Sequence, residues 1–189
     1  MAEVRMIVGL GNPGSEYTGT RHNAGFEAID ILADRLGTGV KKKKFGACFG
    51  ETVFSGKKLI LLKPQLFMNN SGEPVAAAAA FYGLEPDSLL VITDDMALEP
   101  GRIRIRAQGS SGGHKGLEDI IEKLGTDRFG RLRIGIGLPD RQTAEDFVLA
   151  RPPEEERKLI ADATQKANEA ALCWAEYGTE TAMNRFNSE

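Results

Sequence analysis

Two histidines, His22 and His114, are the side chains best suited to acid–base chemistry in this 189-residue chain. An imidazole titrates near neutral pH and acts as a general base when a neighbouring acceptor orients it. His22 follows Thr20-Arg21 at a predicted helix start, and Asp94 follows an apolar run that predicts a buried strand. Because ligand sites of open α/β sheets gather where such strands end, we predict that Asp94 orients His22. A capping or surface imidazole is the alternative for His22.

The sequence indicates water, rather than a side chain, as the nucleophile. No serine stands convincingly in a strand–turn–helix nucleophile elbow of the G-x-S-x-G type. A metal site would need a third ligand beside the two histidines, and the sequence supplies none convincingly. We therefore predict neither a metal nor a cofactor.

The loop from Gly9 to Gly14 reads Gly-Leu-Gly-Asn-Pro-Gly after a predicted strand, which formally matches the dinucleotide-binding fingerprint. That fingerprint requires a helix that begins within the glycine turn, so that its amino end meets the pyrophosphate. Here the residues from Ser15 to Arg21 are polar and lack apolar periodicity. A tight turn that directs the amide of Asn12 into a cleft is the favoured interpretation, and nucleotide binding is the alternative.

Two further segments could either stabilise the fold or contact the substrate. Phe67-Met68-Asn69 precedes Asn70-Ser71-Gly72. The segment is either a capped helix start, with Asn70 or Ser71 as the N-cap and Phe67 and Met68 in the core, or an exposed aromatic and amide for a ligand. His114 and Lys115 follow a Gly-Ser-Ser-Gly-Gly loop. His114 could be a helix N-cap or lie at a loop tip that faces the substrate.

Strands and helices alternate along the chain. Apolar or alternating runs predict strands over residues 4–10, 45–54, 57–62, 89–93, 102–106 and 132–136. Helical spacing predicts helices over residues 22–36, 74–82, 115–124 and 154–177. This interleaving predicts the α/β class: one domain over residues 1–189, with three layers in which helices flank a central mixed twisted sheet.

The composition is that of an ordinary globular protein, with 41% hydrophobic and 27% charged residues. Cys48 and Cys173 are the only cysteines and lie far apart, which argues against a disulfide framework or zinc site and favours a reducing cytosol. No apolar run approaches the roughly 20 residues of a membrane span, and the first residues do not resemble a signal peptide. We expect a cytoplasmic protein without a membrane partner.

The net charge of −3 hides an uneven distribution of charge. Residues from 140 onward hold 11 acidic and 6 basic side chains, whereas the residues before them hold 16 acidic and 18 basic ones. The earlier part contains a lysine run, Lys41 to Lys44, and two arginine groups at 102–106 and 128–133. A local basic face for nucleic acid is therefore possible on an acidic protein. For the lysine run, a solvated loop is favoured over contact with nucleic acid.

Taken together, these segments resemble bacterial peptidyl-tRNA hydrolases. The matching stretches follow the family order: residues 7–14, 20–25, 67–69 with 71–72, Asp94, 112–114 with 116–117, and 131–137. The tail from Pro152-Pro153 through the final helix is also similar. Any single motif would be weak, but four or five in order are highly specific.

The resemblance implies a monomeric enzyme that hydrolyses peptidyl-tRNA released from stalled ribosomes, frees the peptide and recycles the tRNA. It implies that His22 is the catalytic base and that Asp94 holds its tautomer. It also implies that Asn12 helps to distinguish N-blocked from free aminoacyl ends. Asn69 is a further implied catalytic amide.

The same resemblance assigns the substrate contacts. Phe67 is implied to line the cleft for the peptide and 3′-adenosine together with Asn69. Arg106 and Arg133 fall where the family uses cations to clamp a tRNA phosphate. The predicted substrate and tRNA set is completed by Tyr17, which matches a tRNA-contacting position, and by Met68, His114 and Lys115.

The sequence departs from the family pattern at Lys115, where the common motif Gly-Gly-His-Asn-Gly has asparagine. A lysine cannot accept a hydrogen bond, so the contact that asparagine makes must change, for example towards a phosphate. Thr93 and Ala97 also replace more polar residues that are frequent around the aspartate. A non-catalytic RNA-binding homologue is one rival interpretation, but it would not need the base or its carboxylate. A nucleotide-dependent enzyme that uses the glycine loop is the other.

Overall fold

A seven-stranded sheet forms the framework of the molecule, for which a computed structural model describes residues 3–187. The strands are β1 (Val4–Gly9), β2 (Lys42–Lys44), β3 (Ala47–Phe54), β4 (Lys57–Pro64), β5 (Leu89–Asp95), β6 (Ile103–Arg106) and β7 (Gly130–Gly135). Their order in space is β2-β3-β4-β1-β5-β7-β6. The four strands β4, β1, β5 and β7 are parallel, whereas β2, β3 and β6 pair antiparallel with their neighbours, so the sheet is mixed as predicted.

Helices cover both faces of this sheet. They are α1 (Ala24–Arg35), α2 (Gly72–Tyr82), α3 (Lys115–Leu124), α4 (Ala144–Leu149), α5 (Glu154–Tyr177) and α6 (Thr179–Phe186). Residues of α1, α5 and α6 share one hydrophobic core with the sheet, and residues of α2 and α3 share the other. In β1, Ile7 belongs to the first core and Met6 and Val8 to the second. Burial on both faces explains why Met6, Ile7 and Val8 of β1 are all apolar, and the predicted three-layer α/β fold is confirmed.

Three elements were not anticipated: β2, α4 and α6. The prediction of a solvated loop over Lys41 to Lys44 is wrong for Lys42–Lys44, which pairs with β3 although its side chains stay exposed. Lysines on an edge strand hinder pairing with a second sheet.

In the part of the chain that the structure describes, no helix is both long and apolar enough to cross a membrane.

The parallel strands end at one edge of the sheet, where the segments singled out in the sequence meet. The loop that follows β1, the loop that follows β4 and Asp94 at the end of β5 all lie there. Two glycines allow the start of α1 to approach this edge closely. A Cβ atom on Gly9 would lie 2.1 Å from the carbonyl oxygen of Gly25, and one on Gly25 would lie 2.5 Å from that of Ile92. Larger residues at these positions would push His22 away from β5.

Candidate active site

The 3₁₀ helix Arg21–Asn23, called the His22 turn below, carries the predicted base. It immediately precedes α1, whereas the sequence predicted one continuous helix from His22. The backbone N–H of Arg21 donates to the carbonyl of Ala150 at 3.1 Å, which fixes one side of the turn. Each of its three side chains contacts a different part of the protein, so the turn joins separate segments around the base.

His22 and Asp94 form the pair that the sequence predicted. The Nδ1 atom of His22 lies 2.9 Å from Oδ1 and 3.1 Å from Oδ2 of Asp94. A carboxylate only accepts, so Nδ1 carries the proton and a neutral ring has its lone pair on Nε2. The carboxylate of Asp94 is 3% exposed and the imidazole 12%, so the acceptor is enclosed while the ring keeps an accessible edge.

Asp94 also accepts a hydrogen bond from the second histidine. The Nε2 atom of His114 lies 3.1 Å from Asp94 Oδ1, and the two imidazole centroids are 4.9 Å apart. The Nδ1 atom of His114 accepts from the backbone N–H of Leu117 at 3.3 Å, so His114 is the N-cap of α3. This bond places the His114 proton on Nε2. Both ring nitrogens are thus used inside the protein, and a hydrogen bond from His114 to substrate would break one of them.

The electrostatics of the pair favour a charged carboxylate and a more basic imidazole. Burial would raise the pKa of Asp94, but the charges and hydrogen bonds of the two histidines hold that pKa well below its usual range. Burial would lower the pKa of His22, but the charge and hydrogen bond of Asp94 outweigh it and raise the pKa above 6.5. The positive charge of Lys115 lowers the pKa of His22 in part.

A chain of amide hydrogen bonds connects the His22 turn to the two other loops of the site. Asn23 accepts from the backbone N–H of Asn12 at 2.8 Å and donates to the Asn12 carbonyl at 3.0 Å. The side-chain oxygen of Asn12 then accepts from the backbone N–H of Met68 at 2.8 Å. The amide of Asn12 was expected to point into a cleft. Its oxygen instead ties the glycine loop to the segment after β4, and only its Nδ2 group is left for a ligand.

Arg21 anchors the opposite side of the His22 turn. Its buried guanidinium donates to the carbonyl of Phe147 at 3.2 Å, pairs with Glu156 at 2.7 Å and lies 4.0 Å from the Phe147 ring centroid. These contacts join α4 and the start of α5 to the residue before the base. Local sequence patterns do not indicate this role, because the partners of Arg21 are more than 120 residues away.

The segment after β4 presents one aromatic ring and two amides, those of Asn69 and Asn70, to solvent. Phe67 is 57% exposed, and its ring meets that of Tyr17 edge-on, with centroids 6.4 Å apart. Asn69 is also exposed, whereas the side chain of Met68 is buried. Of the predicted substrate contacts in this segment, Phe67 and Asn69 are exposed, and Met68 belongs to the core.

The helix start that follows this segment is capped differently from the interpretation given above. No side chain of α2's own first turn caps it, and Ser71 instead donates to the carbonyl of Met68 at 2.8 Å. The carboxylate of Asp119, on α3, accepts from the backbone N–H of Gly72 at 2.6 Å. Ser71 is thus the N-cap residue of α2, as one of the two predicted positions, but its side chain makes no capping bond, because a tertiary contact with Asp119 satisfies the amide of Gly72.

A model of one protein family matches the chain over residues 6–189, and its description is peptidyl-tRNA hydrolase. The chain belongs to the peptidyl-tRNA hydrolase family. It is 50% identical over 182 residues to a peptidyl-tRNA hydrolase of Caldanaerobacter subterraneus subsp. tengcongensis. That match covers 96% of this chain and 98% of the relative. It is also 48% identical over 189 residues to a peptidyl-tRNA hydrolase of Moorella thermoacetica, a match that covers 99% of this chain and 100% of the relative.

A solved structure gives the same assignment. The fold matches the crystal structure of peptidyl-tRNA hydrolase from Acinetobacter baumannii with a TM-score of 0.92 and 39% identity. The match covers 100% of this chain and 96% of that one. The predicted membership of the peptidyl-tRNA hydrolase family is confirmed.

The predicted phosphate-binding cations lie in different settings. Arg106 is exposed at the end of β6 and lies opposite Arg131 of β7. Arg133 is half-buried and forms an ion pair with Asp95. Lys115 is exposed at the first position of α3. Arg106 and Lys115 are thus exposed to a ligand, whereas the charge of Arg133 is partly neutralised by the carboxylate of Asp95.

Among the described residues, His22, Asp94 and His114 are the cluster that could hold a metal, with their ligand atoms within 4.8 Å of one another. A neutral imidazole that binds metal through Nε2 carries its proton on Nδ1. In His114, however, Nδ1 accepts from the backbone N–H of Leu117. Metal binding would therefore disrupt the cap of α3, so this geometry favours a hydrogen-bonded acid–base cluster.

Proposed function

We propose that this chain hydrolyses the ester bond of peptidyl-tRNA, which frees the peptide and recycles the tRNA, with His22 as the general base. The observation that carries the proposal is the orientation of His22. Its Nδ1 atom is bound to the enclosed carboxylate of Asp94, so the free lone pair lies on Nε2. Family membership supplies the substrate class, and this geometry supports the mechanism.

In the proposed reaction, Nε2 of His22 takes a proton from a water molecule. The water oxygen attacks the ester carbonyl carbon that joins the peptide to the ribose of the terminal adenosine. The resulting imidazolium is stabilised by Asp94, which stays ionised because its pKa lies well below neutral. When the tetrahedral intermediate collapses, the carbon–oxygen bond to the ribose breaks and the ribose oxygen takes the proton from His22. No metal takes part in this scheme.

Amide groups are the proposed electrophilic partners. Asn69 is exposed and is the first candidate to stabilise the oxyanion, with backbone N–H groups of the glycine loop as further donors. The Nδ2 group of Asn12 can donate to a peptide carbonyl while its oxygen holds Met68. Such a donor would favour an N-blocked aminoacyl end, which carries an additional carbonyl.

The tRNA is the proposed macromolecular partner. Phe67 and Tyr17 form an edge-on aromatic pair that can stack with the terminal adenine. Arg106 can bind a phosphate directly, and Arg133 can do so while it is paired with Asp95. Lys115 is a further candidate for the phosphates near the 3′ end. The monomeric state implied by the resemblance and the cytoplasmic location expected from the composition stay predictions.

Release of N-acetylated amino acids from tRNA tests the proposal. The full chain should hydrolyse N-acetyl-aminoacyl-tRNA and leave unblocked aminoacyl-tRNA intact. Binding of tRNA without turnover would instead support the non-catalytic RNA-binding interpretation.

A further inference from the structure

Arg131, on β7, is a buried arginine that binds two backbone carbonyls. Its Nη1 atom donates to the carbonyl of Ser110 at 2.9 Å, and its Nη2 atom donates to that of Asp127 at 3.0 Å. The residue is 2% exposed, and its guanidinium carbon lies 4.5 Å from the ring centroid of Phe129. Because a buried charge is costly when its donors are unpaired, these two bonds should persist in solution.

The two carbonyls lie on opposite sides of α3 in the sequence. Ser110 belongs to the loop 109–113, which precedes the helix, and Asp127 belongs to the turn that follows it. One guanidinium therefore joins the segments before and after α3. The loop leads directly to His114, the N-cap of α3, whose Nε2 atom donates to Oδ1 of Asp94 at 3.1 Å.

The loop 109–113 has little support from packing. A Cβ atom would meet no atom within 4 Å at three of its positions, Gly109, Gly112 and Gly113. In the described part of the chain, the other hydrogen bonds of this loop stay within it and His114. The hydroxyl of Ser111 accepts from the N–H of Gly113 at 3.3 Å, and its carbonyl accepts from that of His114 at 3.1 Å. The bond from Arg131 is thus the one that ties this compact turn to the sheet.

We propose that Arg131 is a positioning residue that holds the loop 109–113, and through it His114, so that Asp94 keeps the orientation in which it directs His22. This role rests on the proposed function of His22 as the general base. It uses contacts within the protein only, since both bonded groups of Arg131 are carbonyls of this chain.

Two neighbouring arginines provide a contrast. Arg106 lies directly opposite Arg131 in the ladder of β6 and β7, and Arg133 follows two residues later, so all three side chains start from one face of the sheet. Arg106 is exposed and Arg133 is half-buried, whereas Arg131 is buried. We therefore expect the loss of Arg131 to lower kcat rather than to raise the KM for tRNA.

A double-mutant cycle in kcat, with N-acetyl-aminoacyl-tRNA as substrate, tests whether Arg131 acts through His114. Arg131→Gln alone should lower kcat about tenfold, less than the roughly 10²-fold that a displacement of 1 Å can cost. In a His114→Gln background the same substitution should change kcat by less than about twofold, because the loop then has no histidine to position. The matched control is Arg128→Gln, which removes an exposed arginine three residues earlier and should leave kcat unchanged.

NMR supplies a measurement that needs no turnover. The side chain of His114 is 9% exposed and its Nε2 proton is bound to Asp94, so this proton should give a slowly exchanging imidazole N–H signal. The signal, assigned by its loss in His114→Gln, should broaden or vanish in Arg131→Gln and persist in Arg128→Gln. Arg131→Lys keeps the charge but has one nitrogen in place of the two that bind the carbonyls, and its effect should be intermediate. If Arg131→Gln fails to fold, Arg131→Lys takes its place in both measurements.

Three results would overturn the proposal. They are an unchanged kcat or an unchanged His114 signal in the folded Arg131 variant, a fall in kcat that adds fully to that of His114→Gln, and a raised KM with a smaller slope of log KM against log salt concentration. The last result would make Arg131 a phosphate ligand. If the signal responds as expected but the wild-type chain hydrolyses no ester, the proposed function fails and the positioning of His114 by Arg131 stands.

Discussion

Asn23 and Asn12 are joined by two hydrogen bonds, one from the backbone N–H of Asn12 to the Asn23 side-chain oxygen at 2.8 Å and one from the Asn23 amide to the Asn12 carbonyl at 3.0 Å. Asn23 directly follows the base. The glycine loop and the residue that carries the imidazole are therefore held as one unit, and through Asn12 this unit includes the segment of Phe67 and Asn69.

Replacement of Asn23 with alanine should impair both stability and catalysis. It leaves two buried backbone groups of Asn12 without partners, which should lower the free energy of unfolding by about 1–3 kcal/mol. A shift of the loops by a fraction of an ångström should lower kcat by about 10–100-fold. Chemical denaturation and single-turnover hydrolysis measure the two effects. The matched control is Asn70→Ala, which removes an exposed amide nearby. If the two variants had the same free energy of unfolding and the same kcat, Asn23 would not be the residue that positions the loops.

The acid side of the pH–rate profile should report His22. A raised pKa means that the ring gains its proton above pH 6.5, so kcat/KM should fall as the pH drops through a value above 6.5. Asp94→Asn removes the negative charge that raises this pKa while burial still lowers it. The acid limb should then move to lower pH, and the plateau rate should fall by about 10²-fold or more. An acid limb that stays in place would show that Asp94 does not act on the titrating group.

Loss of Arg106 or Arg133 should weaken tRNA binding. Each variant to glutamine should raise KM with little change in kcat, and should reduce the slope of log KM against log salt concentration by about one charge. Arg141→Gln is the control, because Arg141 is 93% exposed and paired with Asp140 in a separate loop. If a variant had the same salt slope as the control, its arginine would not contact the tRNA phosphates.

Much of the fold follows from local sequence patterns. β1 and β5 each contain a buried apolar run, Met6 to Val8 and Leu89 to Ile92, while α3 and α5 have the predicted bounds. The short strand β2 could not be predicted, because Lys42–Lys44 has no apolar side chain and pairs only because β3 offers a free edge. For α4 the sequence does hold a helix-start signal, because Thr143 accepts from the backbone N–H of Asp146 as an N-cap.

The site was less accessible to prediction than the fold. The pair of His22 and Asp94 followed from residue chemistry and the position of a strand end. The hydrogen bond between Asn12 and Met68 joins residues 56 positions apart, and no spacing rule indicates it. Likewise, the sharing of Asp94 by His22 and His114 depends on how α3 packs against β5, which local patterns do not specify.

The most direct test of the account is single-turnover hydrolysis of N-acetyl-aminoacyl-tRNA by a His22→Ala variant, with tRNA affinity measured in parallel. General base catalysis contributes about 10²–10⁴-fold, so the rate should fall by at least that factor while tRNA binds with near-normal affinity. His22→Ala that keeps a near-normal rate would contradict the assignment of His22 as the base.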